Sequence, residues 1–438
     1  MSMPIAPHLT DFKGFPLHSW YSDEARFTER YPLLQSALDV DVAVIGGGFT
    51  GLSSALTLAE KGLSVALLEG ALIGYGASGR NGGQVLHGFA APQSQLRKQL
   101  GESMARQCWE LSLAGVDLLA ERITQHKIDC HLHWGYLTTA STPHQIAQLQ
   151  GWQQQLADYG HNDTQWLDEA ELAQHIHSPA YRAGLYDRRC GHIQPLRYAQ
   201  GLARAASQLG VNIFEASPAV ALEETAHAVT IRTARGLIRA GTAILACNVD
   251  IGRLRPTLRR RFVPVASHII ATEPLGQEHA QQLLPSNAAV CDSNHLLDYF
   301  RLTPDHRLLF GGRAHRPQRH ESFVIQERQR KLGSIFPSLA SCKIDYSWHG
   351  YIDIGLNKLP QLGREGSRVY YAQGFAGHGV ALSGLAGWLI ANAITGTSKD
   401  FDLLAALPES RLPLPLALQN SLVRLATLYY RLRDKLGR

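Results

Sequence analysis

Three glycines near the amino terminus have the spacing of a phosphate-binding turn. Gly46, Gly48 and Gly51 follow residues 39–45, a mostly apolar and β-branched run that is typical of a buried parallel strand. In such a turn the first glycine permits the tight bend, the second lets the backbone approach a pyrophosphate, and the third allows the helix to pack closely on the strand. The start of that helix directs backbone N–H groups and a positive dipole end toward phosphates. These residues therefore predict a dinucleotide site.

One acidic residue supports this interpretation. A second apolar run, residues 63–68, follows the predicted helix 52–61 at the distance of a βαβ unit and ends in Glu69. An acidic side chain at this spacing hydrogen-bonds a ribose hydroxyl, whereas a nearby arginine, absent here, would indicate a phosphorylated ribose. A strand–turn–helix unit without a ligand would need none of these features, so we disfavour that alternative.

Two further glycine-rich loops bear on which dinucleotide is bound. Residues 73–84 contain five glycines in twelve positions, with the donors Arg80 and Asn81 in the middle. Residues 374–379 form a third glycine loop, which also joins a strand to a helix. It follows the predicted strand 369–373 and precedes the predicted helix 380–394. A flavin uses positive dipoles at its pyrophosphate and at the ring edge where negative charge collects on reduction. The first glycine loop and the loop at 374–379 can supply these two dipoles, which favours FAD over NAD.

The composition describes an ordinary globular protein. The chain has 438 residues, 45% of them hydrophobic and 18% charged, and its formal net charge is +5. This length allows two domains with separate cores, and the composition argues against disorder. The small positive charge is not clustered as nucleic-acid binding requires, and we interpret the basic run 253–261 as a solvated connector.

Cysteines, termini and apolar segments indicate a reduced, cytoplasmic, soluble protein. The six cysteines are scattered without CxxC pairs, which is the pattern of free thiols. Cys130, His131 and His133 suggest a metal, but alternation along a strand explains them more simply, and we predict no metal. Neither a signal peptide nor a membrane-spanning segment is evident, and the apolar residues 379–394 contain enough small and polar residues to indicate a buried helix.

Strand and helix patterns alternate along the chain and return twice to the nucleotide-binding type. After the first unit, amphipathic stretches at 96–127 and 143–159 flank a short strand at 131–140. Residues 268–272, 296–302 and 308–312 alternate as strands of a sheet. These patterns predict two interleaved domains. They are predicted as an arm at 1–38, a nucleotide-binding domain at 39–90, 185–262 and 344–398, a substrate domain at 91–184 and 263–343, and a helical arm at 399–438.

The motifs resemble those of the D-amino acid oxidase/glycine oxidase superfamily of FAD enzymes. The resemblance rests on residues 41–51, 76–84, 348–350, 360–363 and 374–382. Within that superfamily, residues 297–303 and 426–437 are similar to strings of the bacterial gamma-glutamylputrescine oxidases. The resemblance implies an α/β protein, with a Rossmann-like FAD-binding domain of the glutathione-reductase type and an interleaved α+β substrate domain built on an antiparallel sheet.

The resemblance also implies which residues hold the cofactor. The first glycine loop, residues 46–51, would hold the pyrophosphate, and Glu69 would hold the adenosine ribose. The second glycine loop, residues 73–84, would line the flavin and ribityl chain. The third glycine loop, residues 374–379, would contact the isoalloxazine edge. The adenine contact falls on Ala219 or its neighbour Val220. The residues implied are Gly46, Gly47, Gly48, Thr50, Gly51, Glu69, Ser78, Arg80, Asn81, Gly82, Gly83, Gln84, Ala219, Val220, Cys247, Asn248, Trp348, Gly350, Gly377, His378, Gly379 and Val380.

Two departures from the superfamily pattern bear on substrate and cofactor attachment. Amino acid oxidases of this superfamily carry an arginine, two residues after the Trp-x-Gly motif, that clamps the substrate carboxylate; here that position is Ile352. An amine far from any carboxylate is therefore the better candidate substrate. Sarcosine-type relatives attach the flavin to a cysteine in the segment that reads 357–362 here. No cysteine occurs there, which implies a noncovalent FAD.

The expected chemistry is hydride removal from the carbon that bears a neutral amine, followed by imine hydrolysis to an aldehyde and ammonia and by reoxidation with O2 to hydrogen peroxide. The expected substrate is gamma-glutamylputrescine or a related gamma-glutamylated polyamine. We predict substrate contact by Tyr299, Arg301, His295, Lys358 and His378. Alternatives are an amino acid or sarcosine-type oxidase, a dehydrogenase that reduces a quinone or partner protein, and a non-catalytic FAD-binding protein. The sequence leaves the oligomeric state open.

Overall fold

A computed structural model describes residues 19–26, 29–252, 254–315 and 321–408, together with Tyr429 and Arg433. Within these residues the α-helices α1 to α12 are, in chain order, Trp20–Ala25, Phe49–Glu60, Gln93–Leu100, Glu102–Gln125, Pro143–Asp158, Glu169–Leu172, Pro195–Gln208, Pro256–Arg259, Gln277–Leu283, Glu321–Ile335, Gly379–Ile394 and Lys399–Ala405. The strands β1 to β17 are Ala37–Ile45, Val65–Leu68, Gln84–Val85, His133–Ala140, Thr164–Leu167, Ala183–His192, Asn212–Phe214, Ala221–Glu224, Val229–Arg232, Leu237–Leu245, Val263–Thr272, Ala289–Asp292, Asp298–Leu302, Leu308–His315, Ile344–Ile354, Gln361–Glu365 and Val369–Gln373.

The first sheet has the nucleotide-binding topology. Its main strand order is β16-β17-β10-β1-β2-β7, and all neighbours from β17 to β7 run parallel. Strand β1 is central, and its residues from Val42 to Ile45 are buried, as expected for a strand covered on both faces. Because β1, β10 and β17 are parallel, their carboxyl ends lie at one edge of the sheet. Helix α2 begins after β1 and α11 begins after β17, so both helices start at this edge.

Helices α2 and α11 cover the same face of this sheet in close contact. The hydroxyl of Ser54 donates a hydrogen bond to the Gly387 carbonyl at 3.1 Å. A Cβ atom at Gly387 would overlap the carbonyl oxygen of Thr50, so only glycine allows this approach. The pairing fixes the two helix starts relative to each other.

The second sheet is mainly antiparallel. Its order is β15-β11-β14-β13-β12-β4-β6-β3, with β5 paired to β6, and β12 runs parallel to β4. A core of aliphatic and aromatic residues, among them Phe300, Phe310 and Phe336, packs between this sheet and the neighbouring helices. This arrangement confirms the predicted fold class of a Rossmann-like domain with an interleaved antiparallel-sheet domain.

Some of the predicted domain boundaries need correction. Strands β6 and β15, which we predicted largely within the nucleotide-binding domain, hydrogen-bond in the second sheet, as does the short strand β3. The physical reason is their pairing partners. Strand β15 pairs along its whole length with β11, from Ile354 opposite Val263 to Ile344 opposite Thr272, and β6 pairs with β4 and β5. The remaining division into domains stays a prediction.

The amphipathic stretch predicted at 96–127 consists of two helices. Helix α3 ends and α4 begins at Gly101, which has a φ of +79°. This left-handed conformation favours glycine and interrupts the helical hydrogen bonds.

The predicted arms are described only in part. In α1, Trp20 and Tyr21 are buried against the body, as predicted for anchors of the amino-terminal arm. Residues 1–18, 27–28 and Arg253 of the basic connector lie outside the described residues, as does the predicted carboxyl-terminal arm from 409 onward except Tyr429 and Arg433. No helix among the described residues is both long and apolar enough to cross a membrane.

Candidate active site

The first glycine loop forms a cradle that side chains at its glycine positions would fill. Gly46 has a φ of +114°, and a Cβ atom there would overlap the carbonyl oxygen of Ala246 at the end of β10. A Cβ atom at Gly48 would lie 2.8 Å from the hydroxyl oxygen of Ser78. That hydroxyl accepts a hydrogen bond from the Phe49 N–H at 3.0 Å, so the second glycine loop contacts the start of α2. Open backbone at a helix start suits a phosphate.

Glu69 lies directly after β2, against this first loop. One carboxylate oxygen accepts the Gly47 N–H at 2.7 Å and the other accepts the Ala71 N–H at 2.8 Å. Burial raises its pKa to about 7, and the nearby carboxylates of Asp250 and Glu215 add to that rise against the effect of the two N–H donors. The geometry agrees with the position expected for a ribose-binding acid, and the ribose contact itself stays a prediction.

The two residues proposed for the adenine contact differ in the hydrogen bonding of their backbone N–H groups. The Val220 N–H donates to the Arg232 carbonyl at 2.8 Å, and its side chain is 62% exposed. The Ala219 N–H has no hydrogen-bond partner among the described residues. Of the two, Ala219 is therefore the better candidate.

Asn81 organises the second glycine loop from within. Its amide nitrogen donates to the carbonyls of Ala77 and Ser78, both at 2.9 Å, and its amide oxygen accepts the Gly83 N–H at 2.7 Å. These bonds close a compact turn after the short 3-10 helix Ala77–Gly79. Asn81 thus shapes the loop through its side chain, a role that the resemblance does not supply.

Arg80 connects this loop to β15. Its guanidinium lies 4.4 Å from the centre of the Tyr75 ring and donates to the His349 carbonyl at 3.2 Å. In return, the indole N–H of Trp348 donates to the Arg80 carbonyl at 3.1 Å. The Trp-x-Gly motif at residues 348–350 therefore contacts the second glycine loop directly, next to the sites implied for the flavin.

Arg301 supports the same loop from below. It is 2% exposed, and its Nε donates to the Gly82 carbonyl at 2.8 Å while Nη2 donates to the Tyr21 hydroxyl at 3.2 Å. It does not line the cavity described below, although we predicted that it contacts substrate. From its position in β13, the guanidinium hydrogen-bonds the backbone of the second glycine loop instead.

A cavity of about 870 Å³ extends from the glycine loops across the second sheet. Its lining includes Arg80, Asn81, Gly82 and Gln84, together with residues before and at the start of α11. Side chains of β4, β11 and β15 and the inner face of α5 complete it. Four of the five predicted substrate contacts line this cavity, namely Tyr299, His295, Lys358 and His378. Substrate contact by each of them stays a prediction.

His378 immediately precedes α11 at the edge of the cavity. Its Nε2 lies 2.8 Å from the carbonyl oxygen of His87, which only accepts, so Nε2 carries a proton. Burial lowers the pKa of His378, which favours the neutral ring. The side chain of Ile352 lies across the loop, where a Cβ at Gly377 would be 3.4 Å from its Cδ1. The cavity wall at this point is apolar.

Tyr299 and Lys358 lie at different depths. Tyr299 packs under Gly82, its hydroxyl is 3.4 Å from that of Ser267, and burial raises its pKa well above the usual range. Lys358 is exposed and follows the cavity residue Leu356, which is 56% exposed. We infer that the cavity opens to solvent on the Lys358 side.

The residues after β10 offer a test of whether a flavin fits. Asn248 adopts a φ of +49°, its amide nitrogen donates to the Tyr351 carbonyl at 3.4 Å, and its buried Oδ1 has no hydrogen-bond partner among the described residues. The thiol of neighbouring Cys247 donates to the Ile45 carbonyl at 3.4 Å. An unsatisfied acceptor just after β10 fits a ligand with donor groups, such as the ribose and ribityl hydroxyls of FAD.

Sequence reasoning missed a buried group on the cavity wall. His87 and Asp187 both line the cavity, and the ring of His87 hydrogen-bonds the carboxylate of Asp187 at 2.7 Å. A hundred residues separate them, so no spacing rule could have paired them. The residues that we had considered for a metal have ordinary partners instead, since His131 lies 3.2 Å from Glu24 and His133 lies 3.2 Å from the Ser286 carbonyl.

Comparison with known proteins agrees with this geometry. The family profile described as "DAO: FAD dependent oxidoreductase" matches residues 41–393. The chain is 38% identical to the gamma-glutamylputrescine oxidoreductase of Escherichia coli strain K12, over 96% of this chain and 98% of that protein. It is 39% identical to a probable oxidoreductase, OrdL, of Haemophilus influenzae, over 96% of this chain and 97% of that protein.

The fold also matches a solved structure. The glycine oxidase of Geobacillus kaustophilus superimposes with a TM-score of 0.71 and 22% sequence identity, and the match covers 86% of this chain and 100% of that one. At this identity the likeness concerns the fold alone.

Proposed function

Because the chain belongs to the DAO family of FAD-dependent oxidoreductases, we propose that it oxidatively deaminates an amine, specifically gamma-glutamylputrescine or a related gamma-glutamylated polyamine. The proposed products are the aldehyde, ammonia and hydrogen peroxide. The family assignment establishes an FAD-dependent enzyme, and the substrate and the oxidase activity are the proposal.

The observation that carries the proposal is the apolar wall at Ile352. An α-amino acid substrate would bring its carboxylate next to the reacting carbon, and such a carboxylate needs a guanidinium or comparable partner when it leaves water. Beside the loop at 377–378 the cavity presents Ile352 together with Val263 and Val265 instead. Arg80 is engaged with Tyr75 and the His349 carbonyl. An amine with no carboxylate nearby fits this wall.

The length and polarity of the cavity support an extended substrate. A volume of about 870 Å³ exceeds what a small amino acid requires, even with the flavin ring in part of it. Gln145, Gln148 and Lys358 line the cavity, and Gln148 and Lys358 are exposed to solvent. Amide and ammonium groups there suit the amide and carboxylate of a gamma-glutamyl group, while the amine end of the substrate would lie toward Tyr299 and His378.

The bound FAD supplies the hydride acceptor for the reaction. The residues of the chain orient both partners. Asn81 and Arg301 hold the second glycine loop, Trp348 and Arg80 join that loop to β15, and Ile352 shapes the wall against which the amine-bearing carbon would pack. Orientation of this kind lowers the barrier without any covalent intermediate on the protein.

An anaerobic bleaching screen tests the proposal. The FAD-loaded protein is mixed without oxygen with gamma-glutamylputrescine, putrescine, sarcosine, glycine or a D-amino acid, and flavin absorbance is followed. We expect rapid bleaching by gamma-glutamylputrescine and slower bleaching by the others. Faster reduction by glycine or a D-amino acid would contradict the proposed substrate. In air, bleaching without peroxide would instead indicate a dehydrogenase that uses a quinone or partner protein.

A further inference from the structure

Two histidines hydrogen-bond a single buried carboxylate beside the cavity. The Nε2 atoms of His87 and His161 lie 2.7 and 2.8 Å from the same oxygen, Oδ2 of Asp187. The other carboxylate oxygen accepts the Arg189 N–H at 2.9 Å. All three side chains are at most 7% exposed. The reaction as described so far does not use this cluster.

Three separate elements build the cluster. His87 follows β3, His161 precedes β5, and Asp187 lies within β6. The ring of Trp109, from α4, packs edge-on against both imidazoles, with ring centres 4.8 and 5.7 Å apart. His87 is also adjacent to the loop before α11, because its carbonyl accepts the hydrogen bond from His378. The ring of His87 is therefore held in one orientation on the cavity wall.

The carboxylate of Asp187 is ionised. Burial favours its neutral form, but the hydrogen bonds from His161 and His87 oppose burial and hold the pKa of Asp187 below its usual range. An ionised carboxylate only accepts hydrogen bonds, so each imidazole presents an N–H from Nε2. In the neutral ring of His87, Nδ1 then keeps a lone pair. That atom has no hydrogen-bond partner among the described residues, and His87 lines the cavity.

A primary amine needs such a group. In water near neutral pH it is an ammonium ion, because the pKa of an alkylamine is about 10. The carbon next to nitrogen releases hydride readily only when the nitrogen has its lone pair. Binding must therefore include transfer of one proton from the ammonium to some acceptor.

The other titratable groups that face His87 or the cavity are poorly suited to accept it. Burial raises the pKa values of Tyr136, Cys190 and Cys291 well above their usual range, so these groups already carry their protons. His378 donates from Nε2, and burial lowers its pKa.

Asp187 already accepts three hydrogen bonds. His295 and Lys358 lie near the exposed Leu297 and Leu356, toward solvent.

We propose that His87 accepts the proton that the substrate ammonium loses, and that Asp187 and His161 are the positioning residues for its ring. This inference rests on the proposed function, since it requires an amine substrate. The ammonium loses one proton and keeps the electron pair of that N–H bond. Nδ1 of His87 gains the proton, and the buried carboxylate of Asp187 stabilises the imidazolium, as an aspartate does beside a general-base histidine.

The same cluster has a competing interpretation as a metal site. His87, Asp187 and Cys190 offer donor atoms within 4.8 Å of one another. However, the nitrogen–oxygen distances of 2.7 and 2.8 Å are those of hydrogen bonds. Two ligands on a tetrahedral zinc lie about 3.3 Å apart, given metal–ligand bonds of about 2.0 Å. We therefore favour the proton acceptor, and the metal becomes an outcome of the test.

The first experiment compares two matched variants. H87Q and H161Q each remove one imidazole from the carboxylate of Asp187, but only His87 lines the cavity. Anaerobic bleaching by gamma-glutamylputrescine is measured from about pH 6 to about pH 10. We expect H87Q to be slower by about 100-fold or more near neutral pH. That deficit should shrink as the free amine becomes abundant. H161Q removes a positioning residue but keeps the imidazole of His87, so it should be slowed by less, and its deficit should stay the same at every pH.

Two outcomes of this experiment would contradict the proposal. One is a pH profile for H87Q that runs parallel to that of the unmodified protein, and the other is an equal effect of both variants. If no amine bleaches the unmodified protein at any pH, the proposed function itself fails, which is a different result.

A second measurement does not depend on turnover and uses the unmodified FAD-loaded protein. Histidine ring 15N resonances are recorded with and without an amine whose nitrogen-bearing carbon carries two methyl groups and no hydrogen. We expect one Nδ1 resonance to move to the position of a protonated imidazole on binding. The same shift should occur in H161Q and be absent in H87Q, which identifies the resonance as that of His87. No such shift, or one equivalent of bound metal by elemental analysis, would overturn the proposal.

Discussion

The hydroxyl of Tyr21 donates a hydrogen bond to the main-chain oxygen of Asn81 at 2.7 Å, across 60 residues of sequence. The same hydroxyl accepts from Nη2 of Arg301 at 3.2 Å. A short helix at the amino terminus thus completes the support of the second glycine loop. This loop is predicted to line the flavin, and Tyr21, which does not line the cavity, helps to fix its shape.

Removing that hydroxyl should destabilise the loop. In Tyr21→Phe, the Asn81 carbonyl and the Arg301 guanidinium each lose a buried partner, at a cost of about 1 to 3 kcal/mol in the free energy of unfolding. Urea unfolding of the FAD-loaded protein measures this change. The control is Tyr159→Phe, because the Tyr159 hydroxyl is buried without a hydrogen-bond partner among the described residues. Equal effects of the two substitutions would refute the role of Tyr21.

Glu69→Ala should weaken FAD binding. The variant loses the acceptor at the ribose position and leaves the Gly47 N–H unpaired. A ribose hydroxyl left without its acceptor costs about 1 to 3 kcal/mol, so the dissociation constant should rise by about 10- to 100-fold. Titration of the apoprotein with FAD, followed by flavin fluorescence, measures it. Glu223→Ala, which alters a side chain that is 61% exposed, serves as the control. Unchanged affinity in Glu69→Ala would show that the residue is misassigned.

Ile352→Arg should alter the class of ligand that binds. A guanidinium beside Gly377 would repel the amine end of the substrate and attract carboxylates. We expect bleaching by gamma-glutamylputrescine to slow by about tenfold or more, and small carboxylates to perturb the flavin spectrum at lower concentration. Ile352→Met keeps an apolar side chain and should retain the original preference. If arginine leaves amine-driven bleaching unaffected, the substrate does not pass this wall.

Glu24 should make a pH-dependent contribution to stability. Burial raises its pKa, but hydrogen bonds from His131, Arg197 and Gln194 outweigh burial and lower it to about 2, from an ordinary value of 4.5. Because the folded-state pKa is depressed, the stabilisation is complete above about pH 4.5 and is lost as the pH falls toward about 2. Glu24 is partly exposed, so screening limits the effect to about 1 kcal/mol.

The test of Glu24 is urea unfolding of Glu24→Gln and the unmodified protein at several pH values. Their midpoints should differ at neutral pH and converge in acid. A difference that stays constant with pH would show that the ion pair with Arg197 does not titrate as expected.

The local parts of the site were predictable from the sequence. Gly46 and Gly51 must be small because backbone passes close to them, and Gly48 because the Ser78 side chain does. Such a requirement is visible in spacing alone. The position of Glu69 at the end of β2 follows from the same unit. The start of α11 at Gly379 was also expected, because the glycines precede an uninterrupted helical pattern.

Contacts that depend on tertiary packing were not predictable. Arg301 looks like a substrate residue by its position in β13, yet the direction of that strand turns it under Gly82. His87 and Asp187 meet only because β3 pairs with β6 in the second sheet. Strand β15 was assigned to the other domain because its alternation is compatible with either sheet, and only its pairing with β11 decides.

Strand β15 also constrains how relatives of this protein can diverge. Alternate residues of one strand share a face. Trp348 holds the second glycine loop, Gly350 packs against Arg80, and Ile352 and Ile354 line the cavity. Substitutions at 352 or 354 can therefore change the ligand while the contacts of 348 and 350 with Arg80 remain. A single inserted residue would reverse the face of everything beyond it. Over evolutionary time this strand should accept replacements readily and tolerate almost no change in length.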